Sequence, residues 1–111
     1  MAYKILGQIQ PSSTSNVDLY AVPTGFAAVV STLQLNNTSS VSSRATVYVR
    51  QDNSPLDAAS ASNEFISQVL VAPGQPLSLT VGITLAEGDT ITVKSEIANT
   101  ITFHAFGSEN E

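Results

Sequence analysis

Between Leu77 and Ser95 the chain reads Leu-Ser-Leu-Thr-Val-Gly-Ile-Thr-Leu-Ala-Glu-Gly-Asp-Thr-Ile-Thr-Val-Lys-Ser, with apolar residues at every second position on either side of an acidic turn. Extended backbone places Leu77, Leu79, Val81, Ile83 and Leu85 on one face. Ile91, Val93 and Ser95 repeat the period against Thr90, Thr92 and Lys94. The break at Ala86-Glu87-Gly88-Asp89 predicts a connection between antiparallel strands, with the rest of the molecule packed on the sheet they begin.

Other segments share this period. Val17 to Val22 alternates up to a turn signal at Pro23-Thr24-Gly25. From Phe26 to Leu35 the expected core face is Ala27, Val29, Ser31, Leu33 and Leu35, opposed by Ala28, Val30, Thr32 and Gln34. Arg44 to Arg50 sets Ala45, Val47 and Val49 against Thr46, Tyr48 and Arg50, and Phe65 to Val71 is a further strand. Thr100 to Phe106 carries Ile101, Phe103 and Ala105 on one side and Thr102, His104 and Phe106 on the other. An aromatic on each face predicts that both faces of this last strand are covered.

The punctuation between these runs is polar. Asn36 to Ser43 has loop composition, and Gln51 to Asn63 reads as a variable loop with a turn at Asp52-Asn53-Ser54-Pro55 and room for one helical turn at most. Val22-Pro23-Thr24-Gly25 is echoed by Val71-Ala72-Pro73-Gly74, each leading into an apolar strand. Tyr3 to Gln10, stopped by Pro11 and the run Ser12 to Asn16, is a first strand or a docking arm on a tether. The chain divides into residues 1–16 (that strand or arm), 17–107 (the sandwich domain) and 108–111 (an acidic tail).

Seven or eight short strands, frequent turn signals and no amphipathic helix predict an all-β antiparallel β-sandwich, jelly-roll-like and not immunoglobulin-like, since there is no Trp for an immunoglobulin core. With 111 residues the chain is one domain. Only 12% of residues are charged, and Ser and Thr fill the polar positions. A net charge of -5, with Lys4, Arg44, Arg50 and Lys94 dispersed along the sequence, argues against nucleic-acid binding. No run approaches a membrane span or a secretory leader, so cytosolic synthesis is expected. The absence of Cys removes disulfides and thiolate sites.

Catalysis and metal binding find little to build on. His104 is the sole imidazole, and the reading expects no enzyme, no cofactor and no metal site. Glu87 with Asp89, and Asp52 with Asp57, flank turns that could offer oxygens to calcium, but two carboxylates fall short of its six to eight ligands. Tyr48 beside Arg50, with Tyr20 and Phe106 elsewhere, could form a stacking platform for a sugar ring.

Leu6-Gly7-Gln8 with Pro11, Leu19-Tyr20-Ala21-Val22-Pro23, Val29-Val30-Ser31, Val47-Tyr48-Val49-Arg50, Leu79 to Leu85 and Phe103-His104-Ala105-Phe106-Gly107-Ser108-Glu109 together resemble a family of small virion structural proteins of tailed bacteriophages, particularly phages of aquatic bacteria. That resemblance spans nearly the whole chain. It implies a β-sandwich that decorates or reinforces the particle: first a capsid decoration (cement) protein bound to the major capsid protein, then a tail or baseplate accessory protein. A host-glycan-binding module is the alternative of a different class. Family members often carry Pro-Ala-Gly after the Val-x-Val-Arg strand, where this chain has Gln51 to Pro55, and no functional residues carry over. The expected location is the virion, after synthesis in the host cytoplasm.

The two ends of the chain predict how it assembles. Tyr3, Ile5, Leu6 and Ile9 precede a tether long enough to reach a neighbour at ~3.4 Å per extended residue. With His104 and Phe106 they are the expected interface of a symmetric homo-oligomer such as a trimer.

Overall fold

The computed structural model describes residues 2–51 and 64–110. Eight strands follow one another: β1 (Ala2–Ile9), β2 (Val17–Ala21), β3 (Ala27–Asn37), β4 (Ser43–Arg50), β5 (Glu64–Val71), β6 (Leu77–Leu85), β7 (Thr90–Ser95) and β8 (Ile101–Asn110). They pair antiparallel in two four-stranded sheets, β1-β8-β3-β6 and β2-β7-β4-β5. We call these sheet A and sheet B. No helix occurs among the described residues. The chain is an all-β sandwich.

The core lies between the sheets and draws on both. Val30, Leu33, Leu35, Leu85, Ile101 and Phe103 fill it from sheet A, and Ala45, Val47, Val71, Ile91 and Val93 from sheet B, all buried. Period-two alternation produces this arrangement, because each strand then has one apolar face to turn inward. In β6 the expected face holds: Ile83 and Leu85 are buried, while Leu77, Leu79 and Val81 pack partly buried against the core. Two glycines permit close backbone approaches. A Cβ on Gly107 would stand 1.9 Å from the Val29 carbonyl oxygen, and one on Gly7 would stand 2.2 Å from that of Leu19.

Two features of the sequence reading of β3, β6 and β7 change. The runs flanking Ala86 to Asp89 are not a hairpin, because β6 pairs with β3 in sheet A while β7 lies between β2 and β4 in sheet B. The acidic turn carries the chain from one sheet to the other. The alternation of β3 also breaks. A bulge between Val30 and Thr32 shifts the register against both β6 and β8, so the core face is Ala28 and Val30 before the bulge and Leu33 and Leu35 after it. One extra residue reverses every later side chain.

Residues 108–110, set apart above as an acidic tail, continue β8. The N-terminal segment forms β1 on the edge of sheet A, in register with β8 from Ala2 opposite Glu109 to Ile9 opposite Phe103. Asp52, Asp57 and most of the Gln51 to Asn63 loop lie outside the described residues.

The echo between Val22 to Gly25 and Val71 to Gly74 has a structural counterpart. Both segments lie in five-residue connections (22–26 and 72–76) that cross from sheet B to sheet A. Each contains a turn closed by a backbone bond, Phe26 N to Pro23 O at 3.1 Å and Gln75 N to Ala72 O at 3.2 Å. Gly25 (φ 85) and Gly74 (φ 73) occupy the third position of these turns, where left-handed backbone favours glycine.

Candidate functional site

The register of sheet A lays its outer face out in rows across all four strands. Ile5, Phe106, Thr32 and Thr80 form one row, Gln8, His104, Gln34 and Ser78 the next, and Tyr3, Ser108, Val29 and Thr84 a third. None of these residues is charged. Tyr3 is 77% exposed and Ile5 55%, and Val29 is also exposed. The His104 and Phe106 rings stack on this face at 6.0 Å between centroids and 1° between planes. A hollow of about 320 Å³ lined by Gln8, Ile9, Gln10, Thr102 and His104 lies beside them.

The six expected interface residues therefore separate. Tyr3, Ile5, His104 and Phe106 share the outer face of sheet A, whereas Leu6 and Ile9 pack against the core. Leu6 sits where the register of β1 shifts between Ile5 and Gly7. That bulge lets Ile5 face outward and Ile9 inward, a switch that strict alternation does not foresee.

The outer face of sheet B differs in chemistry. Arg44, Arg50 and Lys94, three of the four basic residues, belong to it, Arg44 and Lys94 exposed and Arg50 buried, so residues dispersed in sequence converge on one face. Arg50 is largely committed. Its Nε donates to Thr92 Oγ1 at 2.9 Å, and its guanidinium pairs with Asp18 Oδ1 at 3.4 Å. Thr92 Oγ1 also donates to Asp18 Oδ1 at 3.1 Å, which joins β2, β7 and β4 through a buried arginine. Tyr48, weighed above beside Arg50, lies instead with Arg44 and Lys94. These three line a cleft of about 380 Å³ with Thr14, Thr46, Gln68 and Glu96.

Gln68 in this cleft is one of two non-glycine residues with positive φ among the described residues, at 49°. Two lining side chains hold its backbone. Gln68 N donates to Thr46 Oγ1 at 3.3 Å, and Arg44 Nη1 donates to Gln68 O at 3.1 Å. Register shifts between Ala45 and Val47 and between Val47 and Tyr48 bulge the β4–β5 pairing at the same place. Bulges and left-handed backbone at non-glycine residues are features that gather at binding sites.

A third cluster is structural. Glu109 on β8 pairs with Lys4 Nζ on β1 at 2.5 Å and accepts the Tyr20 hydroxyl from β2. Lys4 and Tyr20 hold the Glu109 carboxyl below its ordinary value, and burial with the Glu109 bond pushes the Tyr20 phenol far up.

The carboxylates of the acidic turn are engaged by backbone. Asp89 Oδ2 accepts from Ala86 N at 3.0 Å, and Glu87 Oε1 accepts from Gly25 N at 2.6 Å. No group of three or more His, Asp or Glu residues able to hold a metal occurs among the described residues. No helix among them is long and apolar enough to cross a membrane.

No protein-family model matches the chain, and no curated protein matches it.

Proposed function

We propose that the chain is a non-enzymatic structural protein of a phage virion, a capsid decoration protein that docks through the outer face of sheet A. The observation that carries this reading is the uncharged face itself, with Tyr3 and Ile5 exposed beside stacked His104 and Phe106. Depletion of charge and enrichment of aromatics mark interface cores, and a face without charge meets an acidic neighbour without repulsion. The virion resemblance noted in the sequence supplies the kind of assembly.

The strand order also supports the reading. In β1-β8-β3-β6 over β2-β7-β4-β5, each early strand pairs with its late counterpart: β1 with β8, β2 with β7, β3 with β6 and β4 with β5. Folding a long antiparallel ribbon over itself gives this kind of nesting, which supports reading the sandwich as a jelly roll, an architecture that occurs in viral capsid and lectin domains.

Size favours a lattice of contacts over an isolated dimer. Four strands ~4.8 Å apart and about eight residues long present roughly 500 Å² of sheet. A stable interface takes about 800 Å² per partner. Further contacts, to the major capsid protein and to copies of this chain in a symmetric oligomer such as a trimer, make up the difference.

The test is binding of purified protein to particles stripped of it. Wild-type protein saturates the particle, and Ile5→Glu or Phe106→Glu, folded by circular dichroism, loses occupancy at least tenfold. Full occupancy by both folded variants contradicts the assignment of this face.

A further inference from the structure

The cleft on the outer face of sheet B is a second site, on the opposite side of the sandwich from the proposed docking face. We infer that it binds a saccharide unit bearing a carboxylate. Its volume of about 380 Å³ falls within the ~300–1,000 Å³ typical of small-molecule sites. Its lining is polar and convergent, with neutral groups suited to sugar hydroxyls and cations suited to an acid.

Charge decides the class of ligand. Among the described residues of the lining, Arg44 and Lys94 face one carboxylate, Glu96, a balance of one positive charge in a chain of net charge -5. Glu96 is occupied locally, since Arg44 N donates to Glu96 Oε1 at 3.2 Å and Glu96 N to Arg44 O at 2.9 Å. Lys94 makes no ion pair among the described residues. Its ammonium is available to an incoming carboxylate. Arg44 spends one donor on the Gln68 carbonyl and keeps others.

Neutral recognition comes from Tyr48 and Gln68. Neither the Tyr48 hydroxyl nor the Gln68 side-chain amide makes a hydrogen bond among the described residues, and both line the cleft. Arg44 and Thr46 meanwhile hold the Gln68 backbone at φ 49°. The arrangement fixes where Gln68 stands before any ligand arrives, and preorganisation of this kind lowers the cost of binding.

Nitrogen-15 chemical-shift mapping with the intact chain tests the proposal. The probes are glucuronate, a hyaluronan tetrasaccharide in which glucuronate alternates with a neutral sugar, glucose and acetate. Glucuronate and the tetrasaccharide should shift the amides of Thr46, Tyr48, Gln68 and Lys94, and glucose and acetate should not. A tetrasaccharide at least tenfold tighter than glucuronate identifies a polysaccharide as the source, and equal affinities identify a free sugar acid. Lys94→Gln, at an exposed position, should weaken glucuronate at least fivefold, and Lys4→Gln on the other sheet should leave it unchanged. No shift at 20-fold molar excess of ~1 mM ligand, equal shifts with acetate, or equal loss in both variants overturns it.

Discussion

The Tyr20 hydroxyl donates to the Glu109 carboxylate, so a strand at the edge of sheet B is tied to the second strand of sheet A. Lys4 completes the link from β1. With Gly7 passing close to the Leu19 carbonyl, this edge of the sandwich is closed by both side chains and backbone.

That link makes stability pH-dependent at both ends of the scale. Glu109 is held below its unfolded value, near 4.3, so its contribution is complete above that pH and is lost as pH falls through the lower folded value. Tyr20 is raised above its unfolded value near 10, so its contribution is complete below that pH and disappears on further alkalinisation. Urea denaturation from pH 2 to 11 should show both declines. Glu109→Gln should flatten the acid limb, and an unchanged acid limb would contradict the role of Glu109.

Gly107 and Gly82 predict a contrast. Gly107→Ala forces a methyl against the Val29 carbonyl and should cost about 3 kcal/mol or more, at the upper end of overpacking. Gly82, whose added Cβ meets nothing within 4 Å, should accept Ala without loss. Thermal melts of the two variants measure the difference, and similar melting temperatures would show that β8 and β3 can separate at little cost.

Calcium should leave the fold unaffected. Asp89 and Glu87 serve backbone amides of the turn and of Gly25, so neither EDTA nor added calcium should move the melting temperature. Asp89→Ala should cost about 1 to 2 kcal/mol through the lost amide bond. A melting temperature that falls in EDTA and returns with calcium would mean that the turn is an ion site.

The limits of sequence reading are visible in particular strands. Leu77 to Leu85 disclosed its core face because nothing interrupts its period, and the sandwich followed from several such runs. Val29 and Ser31 misled because the bulge at Ser31 leaves no mark in hydropathy. Strand partners were equally hidden. A short turn between β6 and β7 suits a hairpin, and only the packing of two sheets turns it into a crossing. The same gap concealed the cleft: alternation puts Arg44, Tyr48 and Lys94 on outer faces, yet β4 and β7 must be known as neighbours before they meet. Tyr3, Ile5, His104 and Phe106 were legible individually, while the pairing of β1 with β8 joined them on one face.

The most direct measurement is an electron cryomicroscopy map of the intact particle at a resolution that traces strands. The account predicts density for this sandwich on the capsid exterior, with Tyr3, Ile5, His104 and Phe106 of sheet A buried against a capsid protein or another copy, and the Tyr48 cleft of sheet B facing solvent. A map in which the outer face of sheet A is open to solvent, or in which the sandwich is absent from the particle, would contradict it.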